Sequence, residues 1–512
     1  MSKSISVNVI IVISVTILTK LLGLVKQVII ASFYGMTGET DAFLLVSGTI
    51  NDFGMSIFSA LAIVFLADYI KRRKEIGEAP NVFTSNVICV FCGLFIPICI
   101  LLEFFAPHVI RLIAPGMNDV SMSQSILMMQ ILSPMLIVLC FRTILNSILN
   151  ANNEFWYGKS LGAIQSVILI VLSILFYSKG IFVLVFALVI TYFVETGIGM
   201  YLVLKSNYYE ICKPQNIWSP DMKTLLICMI PLFISNSLGE INALVARGIS
   251  SNLGVGTISS LSYAQTLKQF VNSILISSTL TVFYTNIVTK SVNSKSNNIG
   301  EFVVKCINIY LVILMPISII TYVCSNDLIS IVYGHGAVTS DSVGVTSQAL
   351  LGYSIGFVPL AISGVLLRVY YSNSDTWYPL ICNVFSVIVN VAFAIWLSSS
   401  YGILGITLAT AVSYAVSCIL LSFSLKKYVG KIDWRYFIQS IGKVLFASLI
   451  AVVFISLLDV FTIESHIIHL LLIIVITCFS FYIALYWAKC GELLYLLRLS
   501  KELSMKIINK IR

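Results

Sequence analysis

Charge is what this sequence has least of. Only 10% of its 512 residues are Asp, Glu, Lys or Arg, where a soluble chain carries about 25%. That scarcity excludes a water-soluble globular protein. There is no GxxxxGK and no HExxH, so the common phosphate-cradling and zinc-protease sites are missing; the one GxSxG, Gly158–Gly162, opens an apolar run with no strand before it and so lacks the strand-to-helix turn of a hydrolase. The alternating strands of an outer-membrane barrel are missing too. Cysteine is present, 12 residues in all, but scattered through apolar segments. Cys89 and Cys92 form one CxxC without a second pair, which supports neither a zinc site nor a disulfide framework. His466 and His469 form an HxxH with no third ligand beside them, and His335 lies in a glycine-rich turn. We expect no metal, no cofactor and no catalytic constellation, hence a protein that is not an enzyme.

What is present is hydrocarbon. The chain is 58% hydrophobic, and its apolar runs are each about 20 residues, the length that crosses a bilayer core. The pattern predicts an all-α polytopic membrane protein with about fourteen spans. They begin near Val7, Ala42, Phe83, Ser123, Gly158, Ile181, Thr224, Ser259, Phe302, Val345, Tyr378, Ile403, Phe437 and His466. The first run is interrupted by charge and lacks a small-residue cleavage site, so it reads as a retained helix and not a signal peptide.

The net charge of +9 is a topology signal and not a nucleic-acid footprint. "KRRK" (71–74), Lys159, Lys205, Lys213, Lys223, Lys290, Lys295, Lys426, Lys427, Lys431 and Arg435 fall in alternate loops. Lys489, Arg498, Lys501, Lys506, Lys510 and Arg512 follow in the tail. The opposite loops hold Arg111 and Lys179. This bias predicts that both termini are cytoplasmic. The tail reads as a basic amphipathic surface helix.

The chain also repeats. "IRLIAPGMNDV" from Ile110 and "ISIVYGHGAVTSDS" from Ile329 each precede Ser-Gln, a proline (Pro134, Pro359), an arginine (Arg142, Arg368) and Trp-Tyr (Trp156, Trp377). "YGMTG" at Tyr34 and "LGVGT" at Leu253 fit the same offset of roughly 220 residues. An even number of helices per copy makes the repeat parallel, with the substrate route between two six-helix lobes. We expect lobes at 1–215 and 216–430, two further helices at 431–495, and a basic tail at 496–512.

Few charges remain deep in the spans: Lys20, Lys26, Arg142, Glu195, Glu240, Arg247 and Lys268, with Asp41 and Asp52 near the start of the second helix. Each costs about 2.5–3.5 kcal/mol near the bilayer centre. A structural reading pairs every cation with an acid, Arg247 with Glu240 first. Lys20 and Lys26 lie about 9 Å apart along one helix, and the cations outnumber the nearby acids. An excess of buried positive charge is offset by a visiting anion. Lys20, Lys26, Arg247 and Lys268 are therefore the candidate diphosphate-binding residues, and Asp41, Asp52 and Glu240 the candidate cavity acids for ion coupling. Asp375 in "SNSDTWYP" reads as a cap.

Several stretches are familiar. "TKLLGLVKQVIIASFYGMTGETDAF", "LIAPGM" (112–117), "ILNANNEFW" (148–156), "INALVARGISSNLGVGTISSLSYAQTL" (241–267), "IVYGHGAVT" (331–339) and "GILGITLATAVSY" (402–414) occur in order. Together they resemble the MurJ/MviN lipid II flippases over residues 5 to about 430. The resemblance implies the two-lobe multidrug/oligosaccharidyl-lipid/polysaccharide exporter fold and alternating access. It implies a monomeric flippase of the bacterial inner membrane for an undecaprenyl-diphosphate-linked saccharide: lipid II, or an O-antigen or capsule repeat unit. Membrane lipids and the cell-wall or polysaccharide synthesis machinery are the other implied partners. A multidrug cation exporter of the same superfamily needs an acidic cavity. Departures are visible as well. Lysines stand at 20 and 26 where the family usually has arginine. The family's basic position of the second helix falls near Gly54 or Met55, with Ser59 at the acidic one, and Thr266 holds the basic position of the eighth.

Overall fold

The computed structural model describes residues 2–277, 279–280, 283–284, 287, 299–373, 375–429, 434–458 and 465–495. Lys290, Lys295, Lys431, the 496–512 tail and its proposed surface helix lie outside them. Contacts divide the chain into two compact units. One comprises Met1–Tyr263 with His335–Ser342; the other comprises Ala264–Gly334 with the residues from Val343 onward.

The first unit contains α1 (Ser2–Tyr34), α2 (Gly38–Ile76), α3 (Asn81–Phe104), α4 (Ala106–Ile113), α5 (Asp119–Leu132), α6 (Met135–Ala151), α7 (Phe155–Phe176), α8 (Phe182–Lys205) and α9 (Pro220–Ser251). α10 (Thr257–Val271) begins in this unit and ends in a π turn, Asn272–Ser277. The second unit contains α11 (Ile299–Val323), α12 (Ser325–Tyr333), most of α13 (Ser340–Ile355), α14 (Phe357–Ser372), α15 (Trp377–Phe423), α16 (Lys426–Val429), α17 (Trp434–Leu458) and α18 (His466–Trp487). Among the described residues every element is helical.

Helix ends follow local chemistry. Thr37 accepts the Thr40 N–H at 3.4 Å and caps α2, while Gly77 closes it in the left-handed region (φ 82°). Asn118 caps α5, and Ser219 followed by Pro220 opens α9. Inside the helices, Ser125, Ser166, Thr191 and Ser448 donate their hydroxyls to carbonyls four residues back. No polar group then faces hydrocarbon unpaired at these sites. Asp375 does cap: it accepts the Tyr378 N–H at 3.3 Å and the Tyr428 hydroxyl at 2.7 Å. The Tyr428 hydroxyl beside it holds this carboxyl below its usual range.

Among the described residues, ten helices are long and apolar enough to cross a membrane, or twelve when two bent pairs count as one span each. The bent pairs are α5–α6 (45°) and α13–α14 (41°), where the sequence reads single spans. Pro134 supplies no N–H at the first bend. α15 covers two predicted spans and breaks at Gly402 (φ 56°, ψ −133°). Element order also recurs. α3 breaks at Phe105 into the short α4 before a bent pair, and α11 breaks at Cys324 into the short α12 before the other.

Candidate functional site

α2 carries two of the acidic candidates. Asp41, in its first turn, is buried. Its Oδ2 accepts the Gly256 N–H at 2.6 Å and its Oδ1 the Ser259 N–H at 2.7 Å. The carboxylate thus caps the amino end of α10, where unpaired N–H groups and the helix dipole favour an anion. Gly256 has φ +85°, and a Cβ there would lie 2.4 Å from the Met36 carbonyl oxygen; only glycine permits this approach. Asp41→Ala strands two donors at a cost of about 1–3 kcal/mol. The expected result is a lower thermal midpoint with faster amide exchange at Ser259. An unchanged midpoint would contradict the cap.

Asp52, three turns further along α2, meets Arg247 of α9. Arg247 Nη2 donates to Asp52 Oδ2 at 2.5 Å. The guanidinium lies on Gly48, where a Cβ would stand 2.6 Å from Nη2. The ion pair of Arg247 is thus made with Asp52 and not with Glu240, the partner that the structural reading gave it. Seven residues separate those groups by about 10 Å of rise, and α2 presents the nearer carboxylate. Glu240 still interacts electrostatically with both Asp52 and Arg247. Arg247 Nη1 is buried and has no hydrogen-bond partner among the described residues.

Other deep charges sort by whether an acid meets them. Arg142 of α6 is paired with Glu195 of α8, Tyr157 donates to the Glu195 carbonyl at 2.7 Å, and the Tyr192 ring lies 5.7 Å from the guanidinium. α1 is seated on α7 by Thr19, whose hydroxyl donates to the Lys159 carbonyl at 2.9 Å. On α1, Lys20 is exposed and Lys26 half-buried. Among the described residues neither lysine has a carboxylate within ion-pairing distance. Six residues of helix set their side chains about 120° apart around α1. In the second unit, Lys268 Nζ lies 4.4 Å from the Tyr353 ring centroid and donates to the Tyr414 hydroxyl at 3.4 Å. No described carboxylate pairs with it either. Two tyrosines offering ring faces hold an ammonium without neutralising it.

Sequence reasoning missed the tyrosines around Lys268 and the glycine beneath Arg247. Tyr353 and Tyr414 both lie in the repeated or family-like stretches, which was the available signal. Gly48 had none.

A family profile described as lipid II flippase MurJ matches residues 30–476. The chain belongs to the MurJ family. The match covers Asp41, Asp52, Glu240, Arg247 and Lys268 and starts after Lys20 and Lys26. A probable lipid II flippase MurJ of Rickettsia prowazekii is 28% identical over 424 residues, 81% of this chain and 82% of the relative. The lipid II flippase MurJ of Burkholderia cenocepacia is 22% identical over 454 residues, 84% and 86% of the two chains. Among solved structures, the inward closed conformation of a lipid II flippase MurJ superposes with a TM-score of 0.80 at 24% identity, covering 93% of this chain and 98% of that one. An inward-facing multidrug resistance MATE transporter of the MOP superfamily gives 0.65 at 14% identity, covering 82% and 98%. At these identities the structural likenesses show a shared fold. Membership in the MurJ family makes the chain a transporter and not an enzyme.

Proposed function

We propose that this protein flips an undecaprenyl-diphosphate-linked saccharide, lipid II first among them, across the bacterial inner membrane by alternating access. The observation that carries the proposal is a set of lysines within spans, the exposed Lys20 with Lys26 and Lys268, that have no acid partner among the described residues. The unused Nη1 of Arg247 is a fourth donor. A diphosphate supplies the missing acceptors and charge. Asp52 and Glu240, flanking one guanidinium, are the coupling carboxylates of this reading, and Asp41 is kept for capping. Membrane potential provides about 2.3 kcal/mol per charge per 100 mV, so transport needs no nucleotide.

The lipid tail has a place too. α17 and α18 enclose a groove of about 690 Å³ lined by Ile450, Phe454, Val475, Phe479, Ile483 and Trp487, among others. An isoprenoid chain fits that lining by its chemistry.

We further propose fourteen spans in two six-helix lobes (1–215 and 216–430), with α17 and α18 outside them, in a monomer with both termini cytoplasmic. α15's break at Gly402 and the recurring element order support this count. Within the first unit, the 335–337 turn docks on the end of α1, the Ala337 N–H donating to the Ser32 carbonyl at 2.8 Å. "KRRK" (71–74) lies at the far end of α2, about 50 Å of helix away, more than a hydrocarbon core. Cysteine labelling should therefore find position 72 from the cytoplasm and position 336 from outside. Finding both on one side would overturn the topology. Transport itself is tested by purified protein in liposomes loaded with lipid II, scoring headgroup exposure at the opposite face. Exposure no faster than in protein-free liposomes would contradict it.

A further inference from the structure

The break between α11 and α12 carries a side-chain cluster that transport leaves unused. Cys324 occupies the break, and Asp327 follows in the first turn of α12; both are buried. His466 and His469 open α18. His469 Nδ1 lies 2.5 Å from Asp327 Oδ2, and His466 Nδ1 lies 2.6 Å from Asp327 Oδ1. The Cys324 thiol, an Asp327 oxygen and a His469 nitrogen all fall within 4.8 Å of one another. From sequence the histidine pair had no third ligand; the fold brings two more groups to it from the other end of this unit's chain.

The helix break does not require these residue types. Aligning Ile110 with Ile329 sets Phe105 and His108 of the first copy against Cys324 and Asp327. Phe105 (φ −93°, ψ 8°) builds the same break as Cys324 (φ −95°, ψ 23°). Phe105 and His108 pack edge to face at 6.0 Å and offer no thiol or carboxylate. Ile455, Ile473, Leu328 and Leu470 pack around Cys324 as a small apolar shell, which excludes water and strengthens ligand binding.

We propose that Cys324, Asp327 and His469 bind one divalent transition-metal ion, zinc by the chemistry of the donors, with His466 orienting the Asp327 carboxylate. Thiolate, imidazole and carboxylate form a borderline-soft set suited to zinc. Bonds of about 2.0–2.3 Å place the ligand atoms of a tetrahedral centre about 3.3–3.8 Å apart. The His469–Asp327 contact is shorter than that, and all three ligand atoms already lie within 4.8 Å of one another, so small side-chain shifts bring them into the range. His466 bonds the second carboxylate oxygen, as outer partners of metal ligands do. Its side chain is 51% exposed, which provides a way in. Bound there, the ion ties α18 to the α11–α12 break and fixes one wall of the α17–α18 groove.

The full-length protein, purified without a polyhistidine tag, stripped with chelator, given zinc and desalted, is assayed for metal by mass spectrometry. The expected result is about one zinc per chain, absent from Cys324→Ser and His469→Ala and retained in Cys89→Ser. His466→Gln should weaken binding about 10- to 100-fold. Cobalt should give a thiolate charge-transfer band that Cys324→Ser removes, a readout a hydrogen-bonded cluster does not produce. Cys324→Ser changes a single atom, and so tests the ligand even where Asp327→Asn unfolds the chain. No zinc retained by wild type, or equal zinc in wild type, Cys324→Ser and His469→Ala, overturns the proposal.

Discussion

Lys26→Glu abolishes transport of the lipid-linked diphosphate, Lys26→Ala lowers it, and Lys26→Arg retains it. Lys26 is half-buried in a transmembrane helix and has no carboxylate partner among the described residues. Losing its charge eases membrane insertion, so the alanine variant should reach the membrane at wild-type levels. Two unit charges at 4 Å interact by about 4 kcal/mol at an effective dielectric of 20. Reversing one beside a diphosphate therefore costs more than about a thousandfold in occupancy. Arginine keeps the charge and adds a planar fork that suits phosphate. The series is read in liposomes, with membrane content checked by immunoblot. Equal transport by wild type and Lys26→Glu would make this lysine structural and remove the anion from the explanation.

Arg142→Ala should act on stability instead. Its partner Glu195 has a side chain only 1% exposed, and Arg142 itself is 16% exposed. Removing one member of such a pair leaves a buried charge uncompensated, at about 3–5 kcal/mol. Replacing both by leucine removes the two desolvation costs along with the attraction, and should recover most of the loss. Thermal unfolding in detergent distinguishes the cases: a large fall in the midpoint for Arg142→Ala, and a midpoint near wild type for Arg142→Leu/Glu195→Leu. A double variant as unstable as the single would mean that the pair contributes through specific hydrogen bonds, the Tyr157 bond to the Glu195 carbonyl among them.

Helices and their broad order were legible because hydropathy is additive along a chain, and a span of about 20 apolar residues has few other uses. Bends were less legible. Pro134 and Gly402 mark two of them, but a window that averages over a span hides a one-residue break. Pairing of charges was the hardest part. Arg247 and Glu240 share a helix, and their spacing invited a local pair, yet the nearer carboxylate is Asp52, almost two hundred positions away. Asp41 read as a cavity acid because it is charged and near a span, whereas its oxygens are taken by the Gly256 and Ser259 amides. The aromatic cage of Lys268 and the Asp327 that joins His466 to His469 are long-range contacts that no local spacing reveals.

The central claim is that the deep lysines recognise the diphosphate, and direct binding tests it without the complications of turnover. Purified protein is titrated with short-chain lipid II and with analogues carrying the same saccharide on a monophosphate or on a neutral linkage. The account predicts the tightest binding for the diphosphate, weaker binding for the monophosphate, and none for the neutral analogue. It also predicts at least about tenfold losses for Lys26→Ala and for Lys268→Ala, since a charge-assisted hydrogen bond contributes about 1.5–3 kcal/mol. Equal affinity for all three ligands, unchanged by either substitution, would contradict it.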